Sequence, residues 1–162
     1  MGAMVILDVA AVRARIRPLR AFVVLGLLGY PALLLVFAFA RWLLPLYPNE
    51  DFTSRSNYHS FVNEWTIVAP VLAVLLATAA PPALGLARPI ALVALGEYAA
   101  ALLFGTLSFL VGMSGPFGRI SDSGTAYVLG REFDALAYLV IGTGTLGLAA
   151  LAGFVTLRAL PR

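Results

Sequence analysis

Four apolar stretches, at residues 21–44, 64–86, 89–113 and 133–157, take up most of this chain. A helix crosses the roughly 30 Å hydrocarbon core of a bilayer with about 20 mostly apolar residues, so each stretch is long enough to span once. The other structure that crosses membranes, a β-barrel, is made of short strands of alternating polarity, and runs such as PALLLVFAFA and ALAYLVIG do not alternate. The 162 residues are 61% hydrophobic and 12% charged, with a mean hydropathy of +0.94. A water-soluble domain of this size has no way to hide such a composition. The sequence therefore predicts an all-α fold: a polytopic membrane protein, a four-transmembrane-helix bundle forming one membrane domain.

Orientation follows from the basic residues, all 11 of which are arginine. Arg13, Arg15, Arg17 and Arg20 lie in the segment 1–20 before the first span, Arg88 lies between the second and third, and Arg158 and Arg162 lie in the tail 158–162. An arginine excess marks the cytoplasmic side, so both termini are expected there. The loops 45–63 and 114–132 then face outward; they hold Glu50, Asp51, Asp122 and Glu132, with Arg55, Arg119 and Arg131 diluting the contrast. The net charge of +3 is a topology signal, and no basic stripe outside the membrane flanks suggests a nucleic-acid surface. Arginine used to the exclusion of lysine, with abundant alanine, leucine and glycine, is what a GC-rich bacterial genome encodes. The expected location is a bacterial plasma membrane.

The arginine-rich start, apolar run and Ala38-Phe39-Ala40 imitate a signal peptide, but the apolar run exceeds the about 7–15 residues of a signal h-region, and an uncleaved first span is expected. Before it, Val5, Val9, Val12 and Ile16 recur at helical spacing beside Arg13 and Arg17. That pattern suits a short helix on the inner membrane surface ending at Pro18, or equally a frayed tail held by its charges.

The absence of cysteine excludes disulfides, thiol catalysis and cysteine-ligated metal. His59 is the sole histidine, and Glu50, Asp51 and Glu64 around it are too loosely spaced to predict a metal site. No motif implies a cofactor. Trp42, Tyr47, Phe52, Tyr58, Phe61 and Trp65 cluster around the first outer loop, as an interfacial aromatic belt or as a lid or docking surface. Glu64, Glu132 and Asp134 precede or begin spans at the outer side, where an acid favours the helix dipole by about 0.3–1 kcal/mol, so they need no catalytic role. Arg41 near the outer end of the first span either snorkels to the interface or pairs inward with Glu64, Asp134 or Glu132.

Gly142-Thr-Gly144-Thr-Leu-Gly147 matches the dinucleotide fingerprint by letter, but it lies inside the fourth apolar stretch rather than in a strand-to-helix turn. Small residues in a membrane helix have a plainer use. Gly142, Thr145, Ala149 and Gly153 recur every three or four positions and form a face on which another helix can pack closely.

The third span carries the same device with one acid in it: Glu97, Ala101, Gly105, Ser108 and Gly112 share one helix face. A carboxyl facing lipid at the helix centre costs about 2.5–3.5 kcal/mol or more, so Glu97 is expected in a helix seam with hydrogen-bond partners. It lies about 12 Å past Pro89 at about 1.5 Å per residue, Tyr30 lies about 15 Å past Arg20, and Thr78 lies eight positions before Leu86. Depth thus nominates Tyr30 or Thr78 as the partner of Glu97. A carboxyl in low dielectric favours its neutral form and can exchange a proton if water reaches it.

Two function classes follow. One is a protein acting by interaction, as a scaffold, an accessory subunit or a lipid-associated tetraspan protein, with the bilayer, a second copy or another membrane protein as partner. The other is a small proton-linked carrier or channel centred on Glu97, with Tyr30 and Thr78 in its site. Catalysis is not expected, because Ser108 and Ser114 have no histidine at their depth and the acids lie on opposite sides of the membrane. The four-span layout is shared with tetraspan scaffolds of the MARVEL type without any common motif. Small multidrug carriers also hold an intramembrane glutamate, but in their first span and between short loops.

Overall fold

A computed structural model describes residues 9–45, 47–48, 50–78, 85–121 and 128–160, with backbone alone at 9–18, 118–121, 128–129 and 131. All regular structure among the described residues is helical: α1 (Val9–Leu43), α2 (Phe52–Arg55), a 3-10 turn (Tyr58–Ser60), α3 (Glu64–Thr78), α4 (Ala87–Gly112), α5 (Ser114–Ser121) and α6 (Val128–Arg158). Four helical segments are long and apolar enough to cross a membrane. The Gly142-to-Gly147 motif lies within continuous helix α6, without the strand-to-helix turn that a phosphate needs.

The helix boundaries follow local chemistry. Asn63 begins α3 by accepting the backbone N–H groups of Trp65 and Thr66 on its side-chain oxygen, at 3.0 and 3.2 Å, while its own N–H donates to Thr66 Oγ1 at 2.9 Å. These bonds satisfy donors that a helix start otherwise leaves unpaired. At the other end of α3, Arg20 from α1 donates to the carbonyls of Leu76 and Ala77, at 2.6 and 3.1 Å. An arginine that sequence assigns to topology thus also closes a helix C-terminus.

One expectation about span ends changes. Helix α1 is continuous across residue 18 and contains 35 residues, about 52 Å at about 1.5 Å per residue, so no separate surface helix ends there. Helix α3 is described over 15 residues, about 22 Å, up to Thr78. Residues 79–84, which the sequence assigns to the same span, lie outside the described residues. So do residues 1–8, 122–127 and 161–162, with the topology markers Asp122 and Arg162; the side chains of Arg13, Arg15, Arg17, Arg119 and Arg131 are likewise not described.

Helices α3 and α4 pack together at the centre, with α1 against both on one flank and α6 against both on the other. At the end that carries the termini, a core forms from Val24 and Leu28 of α1, Ala73, Val74 and Ala77 of α3, and Ile90, Ala91 and Ala94 of α4. At the opposite, loop end, Leu35 and Ala38 of α1, Ala101 of α4 and Ala149 of α6 enclose Phe61 and Val62 of the first loop. The outward faces are apolar as well: Phe22, Phe37, Leu103, Phe133 and Val140 are all exposed, a surface suited to lipid.

The first loop corrects the aromatic-belt reading. Tyr47 and Trp65 are exposed, but Tyr58 and Phe61 are each only 1% exposed and belong to the core. Phe61 and Trp42 meet edge to face at 6.1 Å, Phe39 packs on Phe104 at 4.8 Å, and Phe109 stacks parallel on Tyr138 at 5.2 Å with Tyr58 edge-on to both. Trp42 Nε1 donates to Ser56 Oγ at 3.0 Å, and Ser56 Oγ donates to the Phe52 carbonyl at 2.8 Å. Because α3 begins near the level of Tyr30, where Trp65 meets it, this buried loop fills the loop end of the bundle beyond the start of α3.

Candidate functional site

Glu97 lies ten residues into the 26-residue helix α4, near its middle. The buried face of α4 carries Ala94, Glu97, Tyr98, Ala101, Gly105, Ser108 and Gly112, so the acid lies on the packed side of the helix rather than on its exposed side. It is 8% exposed, and both carboxyl oxygens are buried without a hydrogen-bond partner. Leaving a buried polar group unmatched costs about 1–3 kcal/mol.

Neither nominated partner meets it. Tyr30 is 49% exposed and turns toward Trp65, at the start of α3, in an edge-to-face contact at 5.9 Å. Phe39 of α1 touches Phe104 of α4, so these helices run parallel with an offset near 65 residues, and the level of Glu97 falls within about one turn of Tyr30. The depth estimate therefore holds for Tyr30, and its direction around the helix is what differs. Thr78 fails on depth. Counting the second span to Leu86 puts it eight residues deep, but the carbonyls of Leu76 and Ala77 just before it accept from Arg20, ten residues before Tyr30 on α1, and its hydroxyl bonds to the Val74 carbonyl at 2.8 Å.

What borders Glu97 is an open cleft of about 330 Å³ between α1 and α4. Leu25, Leu28, Gly29 and Ala32 form the α1 wall, and Leu86, Pro89, Ile90 and Val93 form the α4 wall below Glu97. Among the described residues, Glu97 is the only polar side chain in the lining. From Leu86 to Glu97 the α4 wall rises about 16 Å, so the cleft runs from the end bearing the termini to the middle of the span. Gly29 keeps it open, since a Cβ placed there meets nothing within 4 Å.

The residues predicted to pack do so against varied surfaces. On α6, Gly142 lies against the Phe109 ring, and Gly153 lies against Tyr98, where a Cβ would come within 3.3 Å of the tyrosine Cβ. These contacts are eleven residues apart on each helix, so α4 and α6 run antiparallel in register for three turns. Ala149 is buried with them, whereas Thr145 bonds back to the Ile141 carbonyl at 2.7 Å and is only partly covered. On α4, Gly105 and Gly112 make room for the first loop as much as for a helix. A Cβ at Gly105 would stand 2.6 Å from Val62 Cγ2, and one at Gly112 would overlap the Ser56 carbonyl oxygen and the Tyr138 hydroxyl. Ala101 and Ser108 complete that buried face.

Tyr98 is the residue that sequence reasoning passed over. It is 2% exposed, its hydroxyl donates to the Ile67 carbonyl of α3 at 2.5 Å, and its ring lies on Gly153 of α6. One side chain therefore links three helices. The signal was available: Ala91, Ala94, Tyr98, Ala101 and Gly105 continue at helical spacing on the same stripe as Glu97.

Other candidates stay apart. His59 is exposed and stacks on Tyr58 at 4.1 Å, and no group of three His, Cys, Asp or Glu among the described residues is placed to hold a metal ion. Asp51 caps α2 by accepting the Ser54 N–H at 2.7 Å. The Ser54 hydroxyl and N–H beside it hold the Asp51 carboxyl below the usual carboxylate range, which a capping role accounts for. Arg41 and Glu64 are exposed at the loop end. Compared with protein-family models, with curated proteins and with solved structures, the chain matches none.

Proposed function

We infer that this protein works by interaction inside a membrane, as a scaffold, accessory subunit or lipid-associated tetraspan protein, and that Glu97 serves recognition there. The observation that carries this reading is the lining of the cleft. A carrier or channel that moves protons or hydrated ions through Glu97 needs polar groups along its route, and among the described residues every other side chain along this cleft is apolar. The exposed apolar faces of α1 and α6 also favour it, since small residues on them, Gly26, Gly29, Gly144 and Gly147, have no neighbour within 4 Å and leave room for a second helix to approach.

The membrane is proposed to be a bacterial plasma membrane, with both termini cytoplasmic by the arginine bias. Because the chain has no cysteine, single replacements report sidedness without background. A membrane-impermeant maleimide added to intact cells is expected to label His59→Cys fully and Arg158→Cys only after permeabilisation. The reverse pattern inverts the topology.

The function itself is tested by extracting the full chain from its native membrane into lipid nanodiscs and determining the stoichiometry by native mass spectrometry. The expected result is a companion chain or a second copy at a fixed ratio. A monomer with no companion, coupled with Glu97-dependent proton uptake in proteoliposomes, overturns the interaction reading in favour of the carrier.

A further inference from the structure

We propose that the α1–α4 cleft is a binding site for one acyl chain of an anionic phospholipid, whose headgroup lies at the arginine-rich end of the bundle. The proposal deepens the lipid-associated form of the interaction reading and rests on it for the membrane setting.

The shape of the cleft selects a chain. It runs about 16 Å along α4 from Leu86 to Glu97, and its volume of about 330 Å³ over that length gives a mean cross-section of about 20 Å². An extended hydrocarbon chain fills such a slot, whereas a helix, about 10 Å across with its side chains, does not enter it. The surface of the cleft is almost wholly apolar, so it rewards methylene groups and offers nothing to a hydrated ion or a polar metabolite. Both carboxyl oxygens of Glu97 are buried and take no part through their charge. The side chain instead ends the cleft at mid-span, opposite Ala32 at the helix offset near 65 residues, and thereby limits how deep a chain reaches. The slot is open sideways to lipid, since Leu25, Leu86 and Val93 in its walls are all exposed.

The chemistry of the headgroup follows from the mouth. Lipid covers every outward face of a spanning helix without selection; what singles out one lipid is charge where its chain enters. The mouth, at Leu25 and Leu86, lies at the end bearing the termini. Seven of the 11 arginines belong to that end in the sequence, against a single acid, Asp8. Arg88, in the first turn of α4 between the cleft residues Leu86 and Pro89, is exposed. By the same offset it lies about 4.5 Å along the axis from Arg20, whose guanidinium turns to the Leu76 and Ala77 carbonyls. Beyond the mouth α1 continues as helix back to Val9, and that stretch carries Arg13, Arg15 and Arg17. Such an end attracts a phosphate that bears net negative charge and gives a zwitterionic headgroup no comparable advantage.

The test uses the full chain in detergent micelles, native mass spectrometry and three probes: a palmitoyl-oleoyl phosphatidylglycerol, the phosphatidylcholine with the same chains, and glycerol phosphate for the headgroup alone. Phosphatidylglycerol is expected to saturate at one molecule per chain and to bind about tenfold tighter than phosphatidylcholine, while glycerol phosphate neither binds nor competes. Gly29→Leu enters the cleft from a position where a Cβ meets nothing within 4 Å. It should weaken both phospholipids about tenfold while keeping helix content and monodispersity. Gly144→Leu, on the open face of α6, should weaken neither. Arg88→Gln should weaken phosphatidylglycerol about fivefold, the effect of one charge at a membrane surface, and leave phosphatidylcholine unchanged.

Equal retention of the two phospholipids, or phosphatidylglycerol binding unaffected by Gly29→Leu, overturns the proposal. Displacement of phosphatidylglycerol by glycerol phosphate also overturns it and assigns the arginines to a free phosphate ester. A disulfide-linked dimer through Val93→Cys whose yield is unchanged by excess phosphatidylglycerol does the same and assigns the cleft to a second copy. A companion chain at a fixed ratio without any preference for phosphatidylglycerol sinks this inference alone. Phosphatidylglycerol binding in a monomer with Glu97-dependent proton uptake sinks the interaction reading alone.

Discussion

Gly112→Val is expected to destabilise the bundle by about 2–3 kcal/mol, near the upper end of the range for overpacked cores. Gly112 is buried at the last turn of α4, and a Cβ there would overlap two groups at once, the backbone carbonyl of Ser56 and the hydroxyl of Tyr138. The tyrosine can rotate, but the Ser56 segment cannot retreat without giving up the Trp42 Nε1 bond to Ser56 Oγ and displacing Tyr58 and Phe61 from the core. The loss should therefore appear as a loosened first loop before any helix separates. Gly144→Ala supplies the control. Gly144 faces open space in the middle of α6, so this change should be neutral or stabilising by about 0.5–1 kcal/mol through helix propensity. Unfolding in mixed micelles, followed by Trp42 and Trp65 fluorescence, measures both; equal stabilities for the two variants would refute the packing of the loop onto α4.

Tyr98→Ala should be more damaging still, by about 3–5 kcal/mol, the cost of removing a fully buried aromatic ring. The ring separates α3 from α6 while resting on Gly153, and its hydroxyl reaches the Ile67 carbonyl. Truncation therefore opens a cavity where three helices meet. Tyr98→Phe keeps the ring and removes only the hydrogen bond, for an expected loss of about 1 kcal/mol. The same unfolding assay separates the contributions: if Tyr98→Phe costs as much as Tyr98→Ala, the hydroxyl rather than the packing is responsible. Because Glu97 and Tyr98 are consecutive, Tyr98→Ala should also disturb the cleft, whereas Tyr98→Phe should leave it intact.

Much of the site was legible because helical periodicity is a one-dimensional property. The stripe from Glu97 through Ala101, Gly105, Ser108 and Gly112 lies on the buried side of α4 because 3.6-residue spacing determines which residues share a face. Depth was equally readable for Tyr30 on α1, counted from Arg20. It was misread for Thr78, which lies near the level of Arg20 rather than that of Tyr30. What spacing cannot give is the direction of that face around the bundle, and for that reason Tyr30 was paired with Glu97 when it turns to Trp65.

Composition and periodicity alone determined that the chain folds into four spanning-length helices, and which side of each is suited to packing. Both follow from the uniform demand that hydrocarbon makes on backbone and side chain. The tertiary structure decided what each packing side meets. Helix α3 begins only near the level of Tyr30, so the first loop folds inward beyond it and brings Tyr58 and Phe61 into the core, occupying the glycine face of α4 that sequence assigned to a helix. The relative placement of α1 and α4 leaves the carboxyl of Glu97 beside an apolar cleft instead of a hydroxyl. Such outcomes depend on the lengths and rotations of several helices together, and no single segment encodes them.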